Sequence, residues 1–338
     1  MSGIGGFFPL ERPSPIDGSV LACWTAGMNW RTFVNARSAL AAAIGISGVP
    51  LLWIPSYICK SVLEGALAVC RVRTYPVNAH LQADIDFLQR SLSAGDGCLI
   101  FRAFGAEPEP ELLQLLNDRG DVVWIEDCAQ ALDPGPLLAR FRYFSPRKLL
   151  GVPEGGILVG NESLDLQFSD TVRQLPAQSE SAAPLPVSAY LRAMDPGQDR
   201  AAWYDVYRVD EARQDVCLQP ASRYSVDILG SVALRRLKAS RVANYSRLEQ
   251  ALPAELIFPI QSRCRFGMVI RVDDAATVAR SFHARGIFVQ RHWPEVVGTS
   301  EHDRRIATSL LTLPIDHRLD DDAVDALIRA ALEILKKP

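Results

Sequence analysis

Two short runs concentrate the side chains that could do chemistry. In Trp124-Ile125-Glu126-Asp127-Cys128-Ala129-Gln130 an apolar strand delivers two carboxylates at its carboxyl end, the end at which open α/β sheets bind ligands. In Tyr143-Phe144-Ser145-Pro146-Arg147-Lys148, followed by Gly151 and Pro153-Glu154-Gly155-Gly156, an amine is fixed among turn residues instead of standing on a solvated helix face. An amine held in that way can be kept close to a bound aldehyde and attack its carbonyl carbon. Amines are scarce here: of 36 Lys and Arg, only Lys60, Lys148, Lys238, Lys336 and Lys337 are lysines. Each run also has a plainer reading, with Glu126 and Asp127 as turn caps and Lys148 as a loop lysine beside Arg147.

Other chemistries find less support. The seven cysteines are scattered without a Cys-x-x-Cys pair, and the five histidines include no His-x-x-x-His spacing, so neither a disulfide framework nor a metal site is expected. No Gly-x-Gly-x-x-Gly turn follows a strand, which argues against a nicotinamide-binding dehydrogenase. A net charge of -3 lacks the basic excess needed for nucleic-acid binding. No run approaches the roughly 20 apolar residues of a membrane span, and Met1 to Gly6 lacks the pattern of a leader. The expectation is a cytoplasmic protein with small-molecule substrates.

The elements that must position the two runs can be read from periodicity. Leu51 to Ile54 bounded by prolines, Cys98 to Phe101, and Val122 to Ile125 read as buried strands. Helical segments lie between them, at Lys60 to Val69 with Val62, Leu63, Ala66 and Leu67 inward, and at Pro110 to Asn117. Asn35 caps a helix over Arg37 to Ile46, whose start is a candidate anion site. Gly155 to Val159 reads as a turn feeding a strand, and Leu175 to Pro196 as an excursion. Ser225 to Leu252 reads as one long helix burying Val232, Leu234, Leu237, Val242, Tyr245 and Leu248. Beyond it come a strand over Arg265 to Val272, a helix over Ala275 to Arg285, a strand near Gly286 to Val289, and a terminal helix from Asp320 to Leu335. At 338 residues, two lobes are expected: a large α/β domain over 1–237 with a mostly parallel sheet flanked by helices, and a smaller C-terminal α/β domain over 238–338.

In order, the chain carries a helix start with Arg37-Ser38-Ala39-Leu40, a strand with Pro55-Ser56-Tyr57, Glu126-Asp127-Cys128-Ala129-Gln130, then Ser145-Pro146-Arg147-Lys148 with Glu154-Gly155-Gly156 after it. That combination resembles the DegT-type family of PLP-dependent sugar aminotransferases, of the aspartate aminotransferase superfamily. The likeness runs from Gly5-Gly6-Phe7-Phe8 through Ser240-Arg241-Val242-Ala243-Asn244-Tyr245 to Leu313-Pro314-Ile315-Asp316. It implies the fold-type-I PLP-dependent transferase fold and pyridoxal 5'-phosphate as cofactor. By the same resemblance Lys148 is the Schiff-base lysine and proton shuttle, Asp127 the partner of the ring nitrogen, and Gln130 a neighbour of the phenolic oxygen. Ala36, Arg37, Ser38 and Ser145 fall at the phosphate.

The sequence departs from the family at three places. The stacking aromatic position is Cys59, so that stacking either comes from Tyr57 two residues earlier or is absent. The asparagine that reaches the neighbouring subunit falls on Ala221, with Arg223 as the replacement, and the polar position five residues before the lysine is Tyr143. His292 and Trp293 lie where the small lobe could lean over the site, either contacting substrate or packing as a loop. The reaction implied is amino transfer from an amino-acid donor, glutamate by resemblance, to a keto-sugar that is free or nucleotide-linked, in a homodimer. Competing readings are a non-catalytic or regulatory descendant of the fold, and a dehydratase, in which the family has histidine where Lys148 stands.

Overall fold

The computed structural model describes residues 3–11, 18–166, 173–178, 209, 211–295, 297–298 and 300–336, and the alternation of strands and helices expected from sequence is present. After a two-residue strand β1 (Ile4–Gly5) come β2 (Asn29–Phe33), β3 (Leu51–Pro55), β4 (Arg71–Tyr75), β5 (Gly97–Phe101), β6 (Val123–Asp127), β7 (Phe141–Phe144) and β8 (Gly156–Gly160). The last seven form one sheet in the order β2-β8-β7-β6-β5-β3-β4. From β4 across to β7 every pairing is parallel, and only β8 runs against its two neighbours. A near-continuous apolar run suits each inner strand because helices cover both faces.

Strand alternation sorts the residues between those faces. Trp53, Cys98, Ile100 and Trp124 pack with Leu88, Leu112 and Leu115 from helices Ile85–Ser91 and Pro110–Asp118. Leu52, Ile54, Leu99 and Ile125 pack with Leu40, Ile44 and Val62 from helices Ala36–Ser47 and Lys60–Leu67. A fully buried Leu such as Leu40 contributes about 2 kcal/mol by leaving water. Alternation also sends the adjacent carboxylates Glu126 and Asp127 to opposite sides of the sheet.

The helix Ala36–Ser47 starts where Asn35 leaves extended conformation and its side-chain oxygen accepts the Ser38 N–H, and it ends at Gly48 in the left-handed region. Gly156 is required at its first turn: a Cβ there would come within 2.2 Å of the Asn35 carbonyl oxygen. The Gly155–Gly156 pair thereby ties the loop after Lys148 to the helix start, and the Gly155 N–H donates to the Val34 carbonyl.

The C-terminal part holds β9 (Met268–Arg271) and β11 (Leu310–Leu313) as an antiparallel pair, and β10 (Ile287–Phe288) in parallel with β1. Helices Ala275–His283, Glu301–Ser309 and Asp321–Leu335 accompany them. Met268, Ile270, Phe282, Leu311, Leu313 and Leu327 form its core, together with Tyr245 and Leu248.

Three expectations need correction. The stretch from Ser225 to Leu252 is two helices, Arg223–Leu229 and Leu234–Ala251. Between them the backbone pairs with the segment before the first helix: the Val232 carbonyl accepts the Val20 N–H, and Ser19 bridges Ala233. The buried side of the second helix is also rotated. Val242 is 53% exposed, whereas Arg241 and Asn244 are buried and donate to the carbonyls of Leu149, Phe266, Ile315 and Asp316. Leu67, expected inward, is 57% exposed, and Gly65 takes the buried place. The excursion from Leu175 to Pro196 lies outside the described residues beyond 178.

Candidate functional site

Three neighbouring parallel strands end in the floor of a cavity. Phe101, Asp127 and Tyr143 stand in register at the ends of β5, β6 and β7, so their side chains share one face, and all three line the same space. The start of helix Ala36–Ser47 supplies Asn35, Ala36 and Arg37, and Cys59 closes the wall beside them. Gln130, Ser145, Arg147, Lys148 and Trp293 complete it around about 670 Å³ of space that opens on one side to solvent. Lys148 and Asp127, from separate runs of sequence, therefore face each other's cavity.

The amine is free for chemistry. Lys60 pairs with Glu64 and Lys238 with Asp133, whereas Lys148 has no ion pair among the described residues. Asp127 is 3% exposed, and one of its oxygens accepts the Ala129 N–H. Burial pushes its carboxyl above the ordinary carboxylate range, against the opposing charge of Lys148. The Tyr143 phenol lies beside this carboxylate, and burial first, then the Asp127 charge, pushes its pKa up. The phenol oxygen is buried without a hydrogen bond of good geometry. A buried acid with an underused neighbour is a group prepared for a ligand.

The opposite end is built for an anion. The helix start offers its first backbone N–H groups, and the Arg37 and Arg147 side chains converge there on one carboxylate, Glu211, at 3.6 and 3.1 Å. Burial would raise the Glu211 carboxyl, but Arg147, Arg37 and Lys148 hold it lower. Arg37 also donates to Glu64 at 3.0 Å and to the Gln214 carbonyl at 2.8 Å. Glu211 stands in for an anionic group, and the donor set around it fits a phosphate. With an anion recess, a free amine and a buried carboxylate on one cavity, the residues fit pyridoxal phosphate.

The residues expected at the site divide between wall and core. Ala36, Arg37, Cys59, Asp127, Gln130, Ser145, Lys148 and Trp293 line the cavity. Ser38 does not: it is fully buried, its hydroxyl donates to Asn35 and accepts the Cys217 N–H, and its own N–H is used by the helix cap. Tyr57 is also off the wall, fully buried with its hydroxyl donating to the His292 carbonyl. It supports the His292–Trp293 turn from below, with Trp293 edge-on at 5.1 Å. The aromatic rings on the wall are Phe101, Tyr143 and Trp293, with the Phe101 and Trp293 centroids 5.3 Å apart. His292 is buried beside Gln130, with its Nδ1 3.3 Å from the amide nitrogen. Burial, then the charge of Lys148, pushes the His292 imidazole down to about 3.

Among the wall residues that sequence reasoning did not assign to the site are Phe101, Tyr143, Arg147 and Glu211. Arg147 and Tyr143 were within reach, since they belong to the lysine run itself. Glu211 carries no local signal at all.

No family model and no curated protein matches the sequence. Solved structures match the architecture over nearly the whole chain. A DegT DnrJ EryC1 StrS aminotransferase from Brucella abortus is 14% identical, with TM-score 0.67 over 94% of this chain and 88% of that one. The sugar aminotransferase CalS13 from Micromonospora echinospora is 16% identical, with TM-score 0.60 over 90% and 87%. NtdA from Bacillus subtilis with bound cofactor PMP is 13% identical, with TM-score 0.67 over 94% and 75%. These likenesses establish the fold, the one expected from sequence.

Proposed function

We propose that this chain is a PLP-dependent aminotransferase subunit of DegT type, moving an amino group from an amino-acid donor, glutamate in this reading, to a keto-sugar, free or nucleotide-linked. The observation that carries the reading is the convergence of Lys148, Asp127 and the anion recess on one cavity. The solved structures of similar fold support it, since all three are named as aminotransferases or carry PMP.

When bound, the cofactor supplies an electron sink for the carbon that loses or gains a proton. Lys148 anchors it and carries the proton, because it is the free amine on the wall. Asp127 holds a proton at the ring nitrogen from the buried floor. Ala36, Arg37, Ser145 and Arg147 hold the phosphate once Glu211 gives way, and Gln130 reaches the phenolic oxygen. Trp293, Phe101 and Tyr143 exclude water in place of the missing stacking ring at Cys59. His292, through Gln130, steadies that side of the wall.

The active unit in this reading is a cytoplasmic homodimer with a large domain over 1–237 and a small one over 238–338. Arg223, 94% exposed on its side chain, stands in for the asparagine that would reach the partner's phosphate. A second reading, a non-catalytic descendant of the fold, is favoured by the ion pairs that Glu211 makes inside the phosphate recess.

One experiment separates the two. The protein is loaded with PLP and glutamate is added while the absorbance of the bound cofactor is followed. Conversion to the amine form supports the transaminase, and a spectrum indifferent to glutamate and to other amino acids supports the silent binder.

A further inference from the structure

Behind the cavity wall three groups are joined in a row. The Phe104 N–H donates to the Gln130 side-chain oxygen at 2.9 Å, and the Gln130 side-chain nitrogen lies 3.3 Å from the His292 Nδ1. We propose that they form a one-way relay, which holds His292 as the neutral imidazole with its proton on Nε2 and turns Gln130 so that the group it has left for the cavity is a donor. His292 is then a positioning residue that acts through Gln130. That this donor meets the phenolic oxygen of the cofactor rests on the transaminase reading, whereas the relay itself does not.

The direction follows from the one group in the row whose role has no alternative. A backbone N–H can only donate, so the Gln130 atom that meets Phe104 is the oxygen, and the other end of the amide is the NH2. An amide nitrogen only donates, so the His292 Nδ1 accepts from it and the imidazole proton stands on Nε2. The reverse orientation would set the Phe104 N–H against the amide hydrogens and leave a buried donor without an acceptor. The amide nitrogen carries two hydrogens, of which His292 takes one. Gln130 lines the cavity, and the second hydrogen is left for an acceptor there.

Both ends of the relay are held in place by the backbone around them. Phe104 at φ 53° and Trp293, next to His292, at φ 47° are two of the three non-glycine residues with positive φ among the described residues. That conformation is costly for a bulky side chain and collects at functional sites. The Phe104 carbonyl accepts the Phe266 N–H, and the His292 carbonyl accepts the Tyr57 hydroxyl, each at 3.0 Å. The rings of Phe104, Phe266 and Trp293 surround the imidazole, with centroids 4.9, 5.8 and 5.4 Å away. In that apolar cage the imidazole stays uncharged, since burial and then the Lys148 charge push it down to about 3. A charged ring would carry a proton on each nitrogen and would demand the oxygen of Gln130, which Phe104 already holds.

The relay is tested by nuclear magnetic resonance of the cofactor-free protein with histidine labelled at its ring nitrogens, where bare and protonated nitrogens resonate far apart. His292→Phe, which keeps a ring in the cage, identifies the His292 signals, and His292→Asn serves instead should that variant not fold. The expected result at neutral pH is a bare Nδ1 and a protonated Nε2. A proton on Nδ1, alone or with one on Nε2, overturns the relay. The positioning role is read from PLP affinity: His292→Phe and Gln130→Met should each weaken it about tenfold, and the double variant should lose no more than Gln130→Met alone. Losses that add, or an affinity unchanged in His292→Phe, overturn that role. A bare Nδ1 in a protein that never takes up PLP leaves the relay standing and removes the aminotransferase reading.

Discussion

Glu126 and Asp127 are adjacent on one strand, both buried, and their surroundings are opposite. Glu126 accepts from Arg102 at 2.9 Å, from Arg142 at 2.9 Å and from the Leu138 N–H at 3.1 Å, while both arginines go on to bind backbone carbonyls. Every charge in that cluster is answered within the fold. Asp127, on the other side of the sheet, accepts one backbone N–H and otherwise faces a cavity with an underused phenol beside it. A buried charge whose partners are complete belongs to the structure, and one whose partners are incomplete marks where a ligand belongs.

The comparison breaks first at Glu126. Glu126→Gln leaves Arg102 and Arg142 buried beside a neutral amide, so unfolding in urea should show a loss of about 3–5 kcal/mol. A loss below about 1 kcal/mol would mean that the cluster is not the satisfied network described.

Asp127→Asn should behave in the reverse sense. Amino transfer falls by about 10²- to 10³-fold, the scale of losing one preorganised electrostatic partner, as read from the rate of the glutamate half-reaction. The cofactor-free protein becomes more stable in alkaline solution. The sign follows from the raised carboxyl: the folded state keeps its proton above the ordinary carboxylate range, so stability falls as pH rises through the raised pKa, and asparagine removes that fall. Thermal midpoints of the two proteins across pH check the second half independently of activity.

A smaller effect sharpens the reading of the anion recess. Glu211→Gln removes the internal carboxylate from Arg37 and Arg147, and PLP affinity should rise by up to about fivefold, as expected for a solvent-screened ion pair. Weaker binding would make Glu211 a support of the site instead of its internal occupant.

The smallest effect at working pH belongs to His292, a second incompletely partnered group on the Asp127 side, whose Nε2 is buried without a hydrogen bond. With its imidazole pushed down to about 3, the unfolded chain gains a proton that the folded one refuses, so stability falls as pH drops below the ordinary histidine range. His292→Asn should flatten that fall, by under about 1 kcal/mol at pH 6 and by more at lower pH.

What could be read from sequence follows the same division. The inner strands β3, β5 and β6 announce themselves because burial on both faces demands unbroken apolar runs. The edge strands β2 and β4 escaped, because their residues are mostly exposed and carry arginine and asparagine in place of an apolar pattern. β7 escaped for a different reason: Arg142 sits in its middle, paired with Glu126, and reads as a break in hydrophobicity. At the site, Lys148 and Asp127 were legible because each sits in a compact run with turn residues or a strand around it. Ser38 and Tyr57 were misplaced because periodicity gives a face and not the partners on that face: a cap and a carbonyl had already claimed their polar atoms. Arg241 was read past in favour of Val242 since only tertiary contacts reveal carbonyls waiting for a donor.

The account stands on Lys148 as the amine that takes the cofactor aldehyde. Borohydride reduction of the PLP-loaded protein followed by peptide mapping tests it most directly. The predicted result is a single modified peptide containing Lys148, absent in Lys148→Arg; modification at Lys60 or Lys238 instead, or no covalent cofactor at all, contradicts it.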